Sequence, residues 1–289
     1  MKPLCVMHAA HSHSRRSTGM GEINYTWLQQ YGRITTAAFD EPIFSMPLSA
    51  LRHPEQAKLM LETYNEHLRA DSIRSAAVYF MHSVRGLMMG VHYMTALCDT
   101  YLDLSLENIN MQLEVKDGRP AIGFQLNNAT EQSHPNLMGG SQVVPSSWRN
   151  DVLTAYYGDQ LRPMIEGVAV AGGANPGQMW AQLASMLRWF KTTALQMNIT
   201  ETEREAVIQG YEHVIAMSPE ILGLKRNLLT FKPVEIDNPH QPGETMLMKP
   251  VCCLHHQVYG GQNYCYSCPK LTKAERQERY DAIVAAKSG

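Results

Sequence analysis

Four cysteines stand within twenty residues near the end of the chain, in the segment VCCLHHQVYGGQNYCYSCPK. Cys252 and Cys253 are neighbours in sequence, and we call them the adjacent pair. Cys265 and Cys268 form a C-x-x-C motif, which we call the spaced pair. Four thiols at this density can form disulfides, hold a structural zinc ion or hold an iron–sulfur cluster.

The spacing of the cysteines separates these three chemistries. Disulfides are disfavoured because adjacent cysteines form only a strained bridge and because no secretion signal is evident. Zinc usually takes its thiolates from two C-x-x-C motifs, whereas neighbouring side chains in an extended chain point to opposite sides. A [2Fe–2S] cluster is larger and takes two thiolates per iron, and Gly260 and Gly261 allow the backbone to bend close to it. The spacing therefore favours the cluster and leaves zinc as an alternative.

The segment KPVCCLHHQVYGGQNYCYSCP resembles the C-terminal signature of the ferric-siderophore reductases of the FhuF type. In that signature a C-C pair, about ten residues and a C-x-x-C motif follow one another, and here eleven residues separate Cys253 from Cys265. The segment PGQMWAQLAS is similar, more loosely, to a tryptophan-containing helix of the same family. The resemblance implies that all four cysteines hold a [2Fe–2S] cluster.

The resemblance also implies an activity, the one-electron reduction of a ferric siderophore that releases Fe(II) in the cytoplasm. Hard oxygen ligands hold Fe(III) tightly and Fe(II) much less well, so one electron makes the complex labile. We expect a hydroxamate siderophore. We also expect a separate electron donor, a ferredoxin or a flavin reductase, because no G-x-G-x-x-G motif follows a strand. The alternative is a zinc-stabilised or iron–sulfur accessory protein that binds siderophores or carries electrons without reductase activity of its own.

Several side chains are candidates for roles around the four cysteines. His255 and His256 follow the adjacent pair and are placed to donate to cluster sulfurs or to contact the siderophore. Aromatic and cationic side chains suit a polar ferric centre on an organic frame, and five are candidate contacts: Trp148, Arg149, Trp180, Arg188 and Trp189. Of these, Trp180 and Arg188 are the expected substrate contacts.

Charge and composition exclude other classes of protein. The formal net charge is −2 and no long basic run is present, which argues against nucleic-acid binding and against a polybasic membrane anchor. The first twenty residues are interrupted by histidines and arginines, so we expect a disordered leader there rather than a signal peptide. The expected location is the cytoplasm, with contact at the inner face of the membrane as an option.

The most apolar stretch, residues 72–98, predicts a buried helix rather than a membrane span. It carries Arg74, His82, Arg85 and His92, and its apolar residues recur at helical spacing. The ranges predicted as helices are 54–69, 72–98, 146–167, 178–196, 199–218 and 270–288, with a hairpin over 111–126.

These elements predict an α+β fold that is mainly helical, with a small antiparallel sheet and a C-terminal iron–sulfur segment built from loops. The predicted organisation is a leader over 1–20, a body over 21–249 and the iron–sulfur segment with its terminal helix over 250–289.

Overall fold

The computed structural model describes residues 21–134, 144–261 and 263–288. The predicted leader over 1–20 and residues 135–143 therefore lie outside the described residues. Within the described residues the fold is mainly helical with small sheets, which confirms the predicted α+β class.

Eight α-helices lie in the described part of the chain. Their bounds are α1 Tyr25–Trp27, α2 Pro54–Leu68, α3 Ile73–Leu97, α4 Ser146–Ala155, α5 Arg162–Gly172, α6 Pro176–Ala194, α7 Glu201–Ala216 and α8 Lys273–Ser288. A π-helical segment, Leu28–Gly32, continues α1. A capping box starts α7, because Thr200 and Glu203 each accept from the other's backbone N–H.

The strands of the described residues form three small sheets. Their bounds are β1 Ile34–Thr35, β2 Phe44–Pro47, β3 Thr100–Tyr101, β4 Ile109–Lys116, β5 Arg119–Leu126, β6 Gln132–Ser133, β7 Glu235–Asp237 and β8 Thr245–Leu247. The largest sheet has the order β1-β5-β4-β2, and β3–β6 and β7–β8 are two-stranded antiparallel pairs.

The predicted hairpin is confirmed as β4 and β5. Its turn is formed by Asp117 and Gly118, which both have positive φ, as a tight two-residue turn requires. The largest sheet is mixed rather than purely antiparallel, because β1 pairs with β5 in parallel, Ile34 opposite Phe124. The segment that supplies β1 and β2 carries no regular alternation, so the sequence did not predict this pairing.

Helix α3 is the centre of the core, and most of its 25 residues are buried. Ser72 caps this helix by accepting a hydrogen bond from the N–H of Ser75. Gly86 meets the π-helical segment after α1, where a Cβ would lie 2.3 Å from the carbonyl oxygen of Gly32. Among the described residues no helix combines the length and the apolar character needed to cross a membrane.

The predicted helix over 146–167 is longer than expected and contains a widened turn. Helices α4 and α5 are joined without a break by a π-helical segment, Tyr156–Leu161. Pro163, at the start of α5, has no N–H to donate to the carbonyl of Asp159, and Arg52 donates to that carbonyl instead at 3.3 Å. The continuous helix formed by α4 and α5 then ends at Gly173, which adopts the left-handed conformation.

Candidate metal centre

The adjacent cysteine pair is held against the first turn of α6. Gln178 donates through Nε2 to the carbonyl oxygen of Cys252 at 2.9 Å, and Arg74 orients that amide by donating to its Oε1 at 3.0 Å. The next residue after the pair, Leu254, has a φ of 57°, which turns the chain sharply away from the two thiols. The pair is therefore fixed from the body of the protein.

The loop between the two cysteine pairs is tied to the junction of α2 and α3. The side chain of Ser75 donates to Gln257 at 2.7 Å, and the backbone N–H of Tyr259 donates to the carbonyl of Leu68 at 2.9 Å. Gly260 and Gly261 both have positive φ, as the sequence suggested for residues that let the chain bend. These bonds return the chain toward the adjacent pair.

The spaced pair is held by the C-terminal helix. A turn closes the motif, since the N–H of Cys268 donates to the carbonyl of Cys265 at 2.9 Å. Arg276 of α8 donates to the carbonyl oxygens of Tyr266, Cys268 and Leu271. One guanidinium thus satisfies two carbonyls of the motif and one carbonyl of the turn that follows it, which fixes their shape.

The four sulfurs lie in two close pairs that cross between the sequence pairs. The thiol of Cys253 is within hydrogen-bonding reach of Cys265, and that of Cys252 is within reach of Cys268. Cys252, Cys253 and Cys268 are buried, Cys265 is half-buried, and none forms a disulfide. The structure therefore brings together the four cysteines that the sequence singled out.

A lysine supplies positive charge directly at the sulfurs. Lys249 Nζ lies 3.4 Å from Cys265 Sγ and 3.7 Å from Cys253 Sγ. Burial alone would lower the pKa of Lys249, but the charges of Cys253 and Cys265 outweigh it and raise the pKa, so the ammonium form is retained.

The half-buried thiol of Cys265 has a lowered pKa. A hydrogen bond with Cys253 and the charge and hydrogen bond of Lys249 outweigh burial and lower its pKa to about 6. The pKa of Cys268 is raised, first by burial, and that of Cys253 is raised, first by its bond with Cys265. A thiolate at Cys265 is thus the form present at neutral pH, and thiolate is the form that binds metal.

Helix α3 covers the other side of Cys253. His82 is within reach of the Cys253 thiol, and burial lowers its pKa and keeps the imidazole neutral. Arg85 lies 3.3 Å from His82 Nδ1, and because guanidinium can only donate, the proton of the neutral ring is on Nε2. That Nε2 is buried and has no hydrogen-bond partner among the described residues.

The two histidines after the adjacent pair have different surroundings. His256 Nδ1 lies 3.9 Å from Cys252 Sγ, so this imidazole reaches a sulfur as the sequence suggested. His255 instead packs against Tyr79 at a ring distance of 5.9 Å, and burial lowers its pKa. Of the two, His256 is the one beside a cysteine sulfur.

A cleft of about 850 Å³ opens beside the adjacent pair. Its floor includes Cys252, Leu254 and His256, so the cysteine centre forms part of its wall. The rest of its lining includes the start of α6 and the chain after α7, residues 226–232. This volume lies in the range of small-molecule sites.

The prediction that Trp180 contacts the substrate is wrong. Its side chain has no exposed surface and packs against Tyr157 in the core, at a ring distance of 6.0 Å. Arg188 is half-buried on α6, roughly 15 Å along the helix axis from Gln178, and does not line the cleft. Helical periodicity did not reveal that the face carrying Trp180 is turned inward.

The three further candidates are also placed away from the cleft. Arg149 is buried and donates through Nε to the carbonyl of Thr95 at 3.0 Å. Trp148 packs edge-on against His134, and Trp189 packs beside Tyr31. These side chains stabilise the body of the protein.

Four residues that matter at the centre were not singled out from the sequence: His82, Gln178, Lys249 and Arg276. Lys249 offered a signal, because it stands three residues before the adjacent pair. The other three reach the cysteines from α3, α6 and α8, and no local pattern indicates such long-range contacts. Cys98, by contrast, is a buried core residue as expected, and burial raises its pKa to about 12.

The donor set fits a two-iron cluster better than a single small ion. No three or more His, Cys, Asp or Glu side chains of the described chain are placed to hold a metal ion as they stand. Four thiols in two close pairs match the two thiolates per iron of a [2Fe–2S] cluster. The neutral imidazole of His82, a buried group within reach of the Cys253 thiol, also suits a site that holds further sulfur acceptors.

Comparison with protein families gives a match over the body of the chain. A family model described as ferric iron reductase FhuF-like transporter matches residues 79–239, which is more than half of the chain. The matched residues run from the first turns of α3 to the end of β7 and stop before the four cysteines, so the match is independent of the cysteine segment. No curated protein matches the chain.

Proposed function

The chain belongs to the ferric iron reductase FhuF-like family, and we propose that it reduces the Fe(III) of a ferric siderophore to Fe(II) with a [2Fe–2S] cluster held by its four cysteines. The family supports ferric iron reduction in general. The cluster and the siderophore are the finer parts of this proposal.

One observation carries the proposal, namely four thiols in two close pairs, of which Cys252 lines an open cleft. The family match comes from a different part of the chain and supports ferric iron reduction, and four thiols are the donor set that a [2Fe–2S] cluster takes. A substrate in the cleft would lie against Cys252 and His256, next to the centre.

A [2Fe–2S] cluster with four thiolate ligands supplies single electrons at low potential, roughly −400 mV in plant-type proteins. The chain itself supplies charge and shape. The ammonium of Lys249 offsets thiolate charge at Cys253 and Cys265, and Gln178 and Arg276 fix the backbone of the two pairs. The cleft positions the ferric complex, whose iron takes up one electron and is then held weakly by its hard oxygen ligands.

The electron comes from a separate protein in this proposal, either a ferredoxin or a flavin reductase. The reaction takes place in the cytoplasm, where Fe(II) is released. Each 59 mV by which the donor potential exceeds that of the ferric complex costs about tenfold in the one-electron equilibrium, and capture of Fe(II) draws the transfer forward.

A reduction assay tests this function. The anaerobically purified protein is reduced with dithionite, freed of excess reductant and mixed with a ferric siderophore and a coloured Fe(II) chelator. We expect Fe(II) to form while the visible absorption returns to that of the oxidised protein. Cys268→Ser should abolish the reaction, whereas Cys98→Ser, which changes a thiol of the core, should retain it.

The assay also separates the alternatives. A colourless protein that contains zinc would leave a binding or accessory role and refute the reductase. A coloured protein that is bleached by dithionite but transfers no electron to any ferric complex would be an electron carrier for another enzyme.

A further inference from the structure

The charged side chains that line the cleft beside Cys252 are all cationic. Four cationic side chains line it, from α3, from the chain after α7 and from the turn after the spaced pair: Arg74, Arg226, Lys232 and Lys270. His256 adds an imidazole to the same wall. Among the described residues that line the cleft there is no aspartate and no glutamate.

These cations are not neutralised within the protein. None of the ion pairs of the described residues includes Arg74, Arg226, Lys232 or Lys270. Arg74 uses one guanidinium nitrogen on the neutral amide of Gln178, which leaves its charge uncompensated. All four residues are exposed, so their charges face the solvent that fills the cleft.

Two neutral polar side chains on the 226–232 wall of the cleft are already occupied. Asn227 donates to the carbonyls of Val214 and Met217 at the end of α7, and Thr230 donates to the carbonyl of Ile215. This wall therefore offers a ligand its cations and apolar surface such as Leu228 and Phe231.

This charge distribution discriminates between kinds of ferric complex. Three hydroxamate groups balance the charge of Fe(III), so their complex is neutral at the metal. Catecholate and hydroxycarboxylate groups carry more charge and leave a net negative complex. A cleft of one sign of charge concentrates ligands of the opposite sign and speeds their association.

We propose that the cleft binds a ferric chelate of net negative charge, built on catecholate or hydroxycarboxylate groups, in preference to a neutral hydroxamate complex. This inference rests on the proposed function, and it replaces the hydroxamate expected from the sequence. The bound chelate contacts Arg226 and Lys232 on one side and lies against Cys252 and His256 on the other.

Equilibrium binding to the oxidised, anaerobically purified full chain tests the inference by calorimetry. The probes are ferric citrate, ferric tris(2,3-dihydroxybenzoate) and the neutral ferric tris(acetohydroxamate). At least one anionic probe should bind about tenfold more tightly than the neutral one, since each exposed cation contributes up to about fivefold. Added salt should weaken only the anionic complexes. The probe that binds more tightly identifies the ligand class.

Matched variants locate the binding. Arg226→Gln and Lys232→Gln should each weaken the anionic probe about three- to fivefold and leave the neutral probe unchanged. Lys225→Gln removes the same charge from an exposed neighbour that does not line the cleft, and it should have no effect. Equal affinity for all three probes, or an equal loss in Lys225→Gln, would overturn the inference.

Failure of this inference is distinguishable from failure of the proposed function, because binding is measured without electron transfer. Charge-selective binding with no Fe(II) formed from any complex would refute the reductase and leave the cleft assignment standing. Fe(II) formed from all complexes without a charge preference in binding would support the reductase and refute the cleft assignment.

Discussion

At the scale of single residues, the centre is defined by a half-buried cation among thiols. Lys249 Nζ contacts two sulfurs, one from each sequence pair, and its raised pKa keeps it charged. A positive charge next to a redox centre stabilises the reduced state, which carries one more negative charge. Lys249 is therefore expected to raise the reduction potential of a cluster at this site.

The first prediction concerns that charge. Lys249→Gln removes the ammonium and should lower the reduction potential by roughly 60 mV, equivalent to about tenfold in a one-electron equilibrium. The measurement is a redox titration followed by visible absorption. Lys249→Arg keeps the charge and is the control, with a potential near that of the parent chain. A potential unchanged in Lys249→Gln would show that the lysine has no electrostatic role.

At the scale of elements, the cysteine segment is held by helices that are distant in sequence. Helix α6 fixes Cys252 through Gln178, the α2–α3 junction fixes the intervening loop, and α8 fixes the spaced pair through Arg276. The segment itself has little regular structure, so these contacts determine its shape. The C-terminal helix is consequently part of the centre rather than an appendage.

The second prediction follows from the contacts of α8. Arg276→Gln removes the donor that satisfies two carbonyls of the C-x-x-C motif and one of the turn after it, and iron release to a chelator should become about tenfold faster. Far-ultraviolet circular dichroism should show that the helices are retained. Arg279→Gln, on the same helix, removes a guanidinium that makes none of these bonds. Equally fast iron release from both variants would contradict the role of Arg276.

The sequence predicted elements that are set locally and missed contacts that are set by packing. The Thr200 capping box and the Asp117–Gly118 turn depend on residues a few positions apart, so both were predictable. The grouping of the cysteines was predictable from their spacing. Trp180 was misplaced because its burial depends on Tyr157, which lies on a different helical segment. The cationic cleft was missed because its walls come from three separate parts of the chain.

At the scale of the whole molecule, a polar contact lies within the helical core. His92 of α3 is fully enclosed and lies 3.0 Å from the hydroxyl of Tyr157 through Nε2. Burial lowers the pKa of His92 to about 3, with a smaller contribution from His213. The folded protein therefore keeps this ring neutral, whereas the unfolded chain protonates it below about pH 6.5.

The third prediction is a pH dependence of stability. Since the unfolded state binds one more proton than the folded state between pH 6.5 and 3, His92 makes the free energy of unfolding fall on acidification, by about 1.4 kcal/mol per pH unit. His92→Gln should reduce that slope between pH 6.5 and 5.5 in urea unfolding followed by tryptophan fluorescence. The same change at exposed His53 is the control. An identical slope in His92→Gln and the parent chain would contradict the assignment.

The content of iron and acid-labile sulfide in anaerobically purified protein tests whether four thiolates of the C-terminal segment hold a [2Fe–2S] cluster, as we propose. We expect two iron and two sulfide per chain, retained in Cys98→Ser and lost in Cys268→Ser. One zinc per chain with no acid-labile sulfide would contradict the proposal.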